Sequence, residues 1–123
     1  MSKKTRKAPL LTLPILEGSH ELTVTRLKRG EDSFTLHYRI TPPLPESGSE
    51  TPVLPVLEAL DDLGNTYDDR GGAYGTHPDG TCTDGSLSGH PALHPEASSL
   101  RVRMTWLRGG KETSYDMTLA LRP

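Results

Sequence analysis

Three stretches of the sequence alternate between apolar and polar residues, and this alternation constrains the fold more than any other feature. The stretches cover residues 34–41, 100–106 and 115–122. Successive side chains of a β-strand point to opposite faces, so each stretch would turn one face to a core and the other to solvent. No long segment combines the apolar spacing of a helix with helix caps. The sequence therefore predicts an all-β fold of antiparallel strands.

The last two alternating stretches are separated by two glycines at 109–110. Glycine tolerates positive φ at both central positions of a two-residue hairpin loop, so this pair predicts a tight hairpin. The resulting register places Met104 opposite Tyr115 on the apolar face and Arg103 opposite Asp116 on the polar face. The loop length and the alternation of faces favour the same register, because shifting the strand pairing by one residue would bury Arg103.

A second hairpin is predicted around residues 28–30, with the glycine of this three-residue loop in the left-handed position of a bulge. This loop would place Val24 opposite Phe34 and Leu22 opposite Leu36. Apolar residues again face apolar residues, so loop and pattern favour the same register.

The remaining chain supplies further strands and one segment without a regular pattern. An edge strand is predicted at 10–16, an apolar strand at 53–60 and a short strand at 85–88, and the stretch 42–52, rich in proline, serine and glycine, suits a crossover between sheets. Residues 68–97 are predicted to form one long irregular loop. About seven short strands connected in this way predict an immunoglobulin-like antiparallel β-sandwich.

The 123 residues suit one domain, which we place at 10–123, after a basic and disordered tail at 1–9. The net charge of −2 argues against a nucleic-acid partner. The cations of the tail could alternatively form an arm for RNA, an acidic partner or a membrane surface.

Cys82 is the only cysteine, so no internal disulfide can form, which suits a reducing compartment. No segment approaches the ~20 apolar residues that a membrane span needs, so no span is predicted. Pro9 and Pro14 interrupt the one apolar run that resembles a signal peptide. With Met1 as the native start, we expect a cytoplasmic protein, with a secreted or surface location as the alternative.

The run 61–67, with Asp61, Gly64 and Tyr67 at intervals of three, resembles the Asp-x-x-Gly-x-x-Tyr loop of small, uncharacterised bacterial immunoglobulin-like domains of the actinobacterial type. In those domains, as here after residues 91–95, a proline-containing turn leads into a Leu-x-Val strand. The resemblance covers roughly residues 20–121 and implies the sandwich fold without implying a chemistry. Many such relatives are secreted lipoproteins with a cysteine near the start, which this chain lacks.

Residues 61–95 contain the ligand types of two kinds of metal site, although their spacing matches no known pattern for either metal. Imidazole and thiolate ligands suit zinc, and carboxylates from neighbouring loops suit calcium. The zinc candidates are His77, Cys82, His90 and His94, and the calcium candidates are Asp61, Asp62, Asp68, Asp69, Asp79 and Asp84. The alternative is that the histidines are exposed beside prolines and that the aspartates favour turns. We therefore expect no cofactor, with calcium or zinc as the alternative.

Residues that could contact a protein partner lie in the same part of the sequence. Tyrosine and tryptophan are enriched at interface hot spots, and charged residues flank them here. The candidates are Tyr67, Tyr74, Trp106, Asp68, Asp69 and Arg70, although Tyr67 and Trp106 could instead seal the core.

The sequence favours a non-enzymatic binding or structural module. It would contact a protein partner, or another copy of itself, through the acidic, glycine-rich segment 61–95 or through strand edges. One alternative is a metal-binding domain. Another is an enzyme that uses Cys82 with a histidine, although no Gly-x-Ser-x-Gly elbow or phosphate-binding glycine loop is present.

Overall fold

A computed structural model of the chain describes residues 10–44 and 53–121. These residues form eight β-strands and no helix, which confirms the all-β prediction. The strands are β1 (Leu11–Ile15), β2 (His20–Arg29), β3 (Phe34–Thr41), β4 (Val53–Asp61), β5 (Thr66–Thr76), β6 (Thr83–His90), β7 (Ser99–Arg108) and β8 (Lys111–Ala120). The predicted tail at 1–9 and most of the predicted crossover lie outside the described residues. Nothing described here forms a helix long and apolar enough to cross a membrane.

The eight strands form one antiparallel sheet in the order β1-β2-β3-β6-β5-β4-β7-β8. The sheet curls until its two outer strands approach each other. Leu16 N donates to the Tyr115 hydroxyl at 2.6 Å, and Arg29 Nη2 donates to the carbonyl of Leu121 at 3.1 Å. The result is one nearly closed, barrel-like sheet of eight strands, so the predicted seven-strand immunoglobulin-like sandwich is confirmed only as an all-β antiparallel fold.

The core lies inside the curled sheet and is lined by the apolar faces of the alternating stretches. The inward residues of β3 and β7 are at most 2% exposed. Phe34 packs edge-on against Tyr67 at 5.6 Å, and Tyr38 packs against Trp106 at 6.0 Å, a geometry that aromatic rings prefer. Period-two alternation therefore assigned the buried faces of these strands correctly.

The β7–β8 hairpin has the predicted register. Arg108 pairs with Lys111 around the two glycines, and Met104 lies opposite Tyr115. On the outer face Arg103 Nε donates to Asp116 Oδ1 at 2.8 Å.

The register predicted for the β2–β3 hairpin is wrong by four residues. Val24 pairs with Tyr38 and Leu22 pairs with Ile40, because the loop contains four residues and the ladder is shifted by a bulge between Val24 and Arg26. Since four is an even number, the apolar faces still meet, and the sequence pattern could not tell the two registers apart.

The predicted long loop at 68–97 is wrong, because most of it forms β5 and β6, whereas the short strand predicted at 85–88 lies within β6. Its strand pattern is hidden by glycine at inward positions of β6. A Cβ at Gly85 would collide with the ring of Tyr38, and a Cβ at Gly89 would collide with the ring of Phe34. The large rings of β3 thus require small residues on the neighbouring strand, and these residues carry no hydrophobic signal.

Replacing Met104 by aspartate should prevent stable folding, because its side chain is fully buried and an unpaired charge there is costly. Replacing Arg101, which is exposed three residues earlier on β7, should change the free energy of unfolding by less than about 0.5 kcal/mol. Urea unfolding followed by the fluorescence of Trp106 measures both variants. Equal tolerance of the two substitutions would contradict the assigned strand faces.

Candidate functional site

The turn between β4 and β5 is organised around the carboxylate of Asp61. It accepts hydrogen bonds from Leu63 N, Asn65 N and Asn65 Nδ2, each at 2.9 Å, and from the Tyr67 hydroxyl at 2.8 Å. Asp61 itself is only 5% exposed. Burial raises the pKa of this carboxyl, but the hydrogen bonds from Asn65, Tyr67 and Leu63 outweigh burial and hold the pKa at about 2.

Asp62 and Tyr67 connect this turn to the segment between β6 and β7. The Asp62 carboxylate accepts hydrogen bonds from Ser98 N at 2.9 Å, Ser98 Oγ at 2.6 Å and Ser99 N at 3.3 Å. The Tyr67 hydroxyl accepts a bond from His94 N at 3.1 Å. The carboxylates of this turn, which has the Asp-x-x-Gly-x-x-Tyr pattern, therefore accept hydrogen bonds from protein donors and have a structural role.

A second polar cluster lies at the β5–β6 turn. His77 Nδ1 is 2.9 Å from Asp79 Oδ1, and His77 Nε2 is 3.9 Å from Asp84 Oδ2. Arg39 Nε donates to Asp84 Oδ1 at 3.1 Å. Hydrogen bonds from the side chain and backbone of Thr81 lower the pKa of Asp79 to about 2.

The four predicted zinc ligands lie at opposite ends of β6 and do not converge. His77 and Cys82 belong to the turn before this strand, whereas His90 ends it and His94 follows it. A strand of this length spans roughly 23 Å. Cys82 is buried, and its Sγ is 4.0 Å from Asp84 Oδ1.

The predicted calcium ligands are divided in the same way between the two ends of the sheet. Asp61 and Asp62 cap the β4–β5 turn, while Asp79 and Asp84 lie at the β5–β6 turn. Within residues 10–44 and 53–121 no three histidine, cysteine, aspartate or glutamate side chains are placed to hold a metal ion. Asp61 and Asp79 bond the backbones of their turns, as the alternative interpretation of the sequence expects.

Only some of the predicted partner contacts lie on the surface. Trp106 and Tyr67 are 1% and 2% exposed, so both belong to the core and offer no contact area. Asp68 is exposed, and Arg70 Nη1 lies 3.4 Å from Asp32 Oδ1. The two remaining candidates, Asp69 and Tyr74, lie where β5 separates from β4.

This separation defines the β4–β5 seam, formed by residues 53–57 of β4 and 69–76 of β5. The two strands pair over only three residues each, Glu58–Leu60 with Thr66–Asp68. Beyond this point β4 continues along β7, and β5 continues along β6. The seam is therefore an interruption in the backbone ladder of an otherwise continuous sheet.

Side chains of β5 cover the backbone of β4 across the seam. Leu57 N donates to Asp69 Oδ2 at 2.8 Å, and the Tyr74 hydroxyl donates to the carbonyl of Val53 at 2.6 Å. Pro55, between them, has no N–H to donate. The edge of β4 is thus largely closed to further backbone pairing.

The edge of β5 has no comparable cover. His77 N donates to the carbonyl of Cys82 at 2.8 Å, and this bond sets the phase of the antiparallel ladder to β6. By alternation, the N–H and C=O groups of Gly72, Tyr74 and Thr76 point away from β6 and into the seam. In the part of the chain that the structure describes, these backbone groups have no backbone partner on that side.

The sequence interpretation missed the other residues that border the seam. Leu54 and Val56, on the outer face of β4, are 53% and 41% exposed, and Glu58 follows them on the same face. A signal was present, because apolar residues at the outward positions of the 53–60 stretch leave it without the polar face that solvent favours.

The fold is similar to that of two solved bacterial proteins. A DUF4426 family protein from Pseudomonas aeruginosa PAO1 has a TM-score of 0.57 and 8% identity, covering 92% of this chain and 97% of that protein. A conserved domain protein from Bacillus anthracis has a TM-score of 0.55 and 18% identity, covering 84% of this chain but 44% of that protein. No family model and no curated protein matches the sequence. At these identities the likeness establishes the fold alone.

Replacing Asp61 by asparagine should lower the free energy of unfolding at pH 7 by about 2 kcal/mol, following the depression of its pKa from 3.8 to about 2. Because the folded pKa lies below the unfolded one, this stabilisation is present above pH 4 and is lost as the pH falls towards 2. The variant should therefore lose less stability than the wild type between pH 5 and pH 2. Urea unfolding across this range measures the effect, and Asp68→Asn, at an exposed carboxylate, is the matched control.

Proposed function

We propose that this chain is a non-enzymatic binding module that holds an extended segment of a protein partner by adding it as a strand to the free edge of β5. The observation that supports the proposal is the row of outward backbone groups at Gly72, Tyr74 and Thr76. A partner strand gains affinity from main-chain hydrogen bonds in this mode of recognition and specificity from its side chains.

The other edges of the sheet carry the features that natural proteins use to discourage strand pairing. β1 has only five residues and contains Pro14, and the seam side of β4 contains Pro55. β8 carries Glu112 and Asp116 at outward positions. Short length, proline and charge all blunt an edge. The β5 edge from 71 to 76 has no charge and no proline, and it therefore favours strand addition.

Glycine makes the β5 edge accessible, and packing requires at least one of these glycines. A Cβ at Gly72 would collide with the carbonyl of Ser86, while Gly71 adopts a φ of +106° at the bulge of this strand. No side chain at either position can shield the backbone. An approaching segment therefore meets the peptide groups directly.

The immunoglobulin-like type and the cytoplasmic location belong to the same proposal. The buried Tyr67 hydroxyl, bonded to Asp61 and to His94 N, is similar to the tyrosine corner of immunoglobulin-like domains, which favours that type. The single cysteine, Cys82, is a free thiol, which favours a reducing compartment.

Replacing Thr76 by proline should abolish partner binding while leaving the domain folded. Its N–H points into the seam, so proline removes a donor to the partner and no bond to β6, and we expect a loss of stability below about 1 kcal/mol. Ala73→Pro is the matched control, since the Ala73 N–H pairs with β6 and its loss should cost about 2 kcal/mol or more. Urea unfolding gives the stabilities, and affinity capture with wild-type and Thr76→Pro baits gives the binding. Proteins retained equally by both baits would contradict the proposal.

Amide hydrogen exchange tests the edge directly. In the isolated protein the amides of Gly72, Tyr74 and Thr76 should exchange fast, while those of Ala73 and Gly75 should be protected by β6. A captured partner should slow exchange at the first three positions. Slow exchange there in the isolated protein would mean that the edge is already covered, and the proposal would fail.

A further inference from the structure

We infer that the segment added to β5 carries a basic residue and two large apolar residues at three successive alternate positions, on the side that faces solvent. This inference rests on the proposed function, because it describes the partner of the same edge. It follows from the side chains along the two walls of the β4–β5 seam.

The seam is narrow enough that a strand added to β5 would contact both of its walls. The Tyr74 side chain on β5 reaches the carbonyl of Val53 on β4, so the two backbones are there no more than roughly two strand spacings, ~9.6 Å, apart. A strand placed on the edge of β5 would therefore lie beside the diverging half of β4. Its outward side chains would then contact the outward side chains of both walls.

The open part of the seam is apolar on one wall and nearly bare on the other. Leu54 and Val56 on β4 are the exposed apolar residues of one wall. The other wall presents Gly71, Ala73 and Gly75, which are all exposed and carry at most a methyl group. Large apolar side chains on the added strand would cover Leu54 and Val56 and pack over the glycines, as aromatic residues do over edge glycines in sheets.

The closed end of the seam carries two carboxylates on the same outer face. Glu58 and Asp68 lie directly opposite each other in the β4–β5 ladder, and like charges at such positions repel. Neither forms an ion pair within 4 Å among the described residues. Arg103 lies directly opposite Glu58 on β7, and Arg101 lines the same depression. The Arg103 guanidinium is, however, hydrogen-bonded to Asp116 and offsets the two carboxylates only in part. A lysine or arginine of the added strand would relieve this repulsion, which places its basic residue at this end.

The two walls together determine the order of side chains on the partner. From the closed end outwards the seam presents the carboxylates of Glu58 and Asp68, then Val56, and then Leu54. Residues two apart on a strand share a face and are separated by ~6.8 Å, so two outward residues face Val56 and Leu54. Because β4 and β5 pair directly at Glu58 and Asp68, the next outward residue would lie over the outer face there and reach the carboxylates with its side chain. The matching segment reads basic-x-apolar-x-apolar from the closed end.

End-blocked peptides of about ten residues test this pattern as probes of the intact protein. The first peptide has lysine, phenylalanine and valine at three successive alternate positions and serine or threonine elsewhere. The second has the same composition with these three residues adjacent, and the third has glutamate in place of lysine. Fluorescence anisotropy should show the first peptide binding about fivefold or more tightly than either of the others, as one charge pair and one apolar contact imply.

Reversing one charge of the seam provides the decisive test. With Glu58→Lys the preference should invert, so that the glutamate peptide binds more tightly than the lysine peptide. Glu112→Lys makes the same charge change at an exposed position of β8, away from the seam, and should leave the preference unchanged. Leu54→Ser should weaken binding of the first peptide by about threefold or more.

The failures of this inference and of the proposed function are distinguishable. If Thr76→Pro binds the first peptide as tightly as the wild type does, strand addition to β5 fails and the inference fails with it. If Thr76→Pro loses binding but the wild type binds all three peptides alike, strand addition stands and the inferred pattern is wrong. If the peptides do not bind and the protein forms a dimer that Thr76→Pro prevents, the occupant is a second copy, and the inferred partner is again wrong.

Discussion

The hydrogen bonds to the Asp61 carboxylate organise the turn beside the one described backbone ladder between the two parts of the sheet. β4 and β5 pair over three residues only, directly beside the turn that this carboxylate organises. The Tyr67 hydroxyl extends the same network to the segment that leads into β7. Without these bonds the buried charge would have no compensation, and the three-residue ladder between β4 and β5 would lose the ordered turn beside it.

The same joint creates the seam, because strands held together so briefly diverge beyond it. Asp69 and Tyr74 then satisfy β4 with their side chains, while residues 71–76 of β5 pair, among the described residues, with the backbone of β6 alone. The β4 wall of the seam is thereby closed, whereas the β5 wall keeps peptide groups that no described backbone group pairs. The proposed site and the fold thus have one origin, since the edge to which we propose strand addition arises from the geometry that joins the two parts of the sheet.

Local patterns predicted the fold wherever hydrophobic alternation and loop chemistry acted together. The two glycines at 109–110 and the faces of β7 and β8 left a single acceptable register, and the structure has it. In the β2–β3 hairpin the faces were right and the register was wrong, because a bulge after Val24 leaves no mark in the apolar pattern. β5 was missed, and β6 was predicted only over 85–88. Gly85 and Gly89 of β6 accommodate the rings of Tyr38 and Phe34, and a glycine that makes room for a ring has no hydrophobicity of its own.

The sequence by itself determined the all-β class, the inward faces of β3, β7 and β8, and the last hairpin, because these depend on residues close together in the chain. Only the tertiary structure decided that the sheet is continuous, that Trp106 and Tyr67 are buried, and that the zinc candidates are divided between the two ends of β6. It alone brought Leu54, Val56 and Glu58 beside the free edge of β5. These features depend on contacts between strands that are distant in sequence. No local pattern identifies the neighbours that determine which side chain fits at each position.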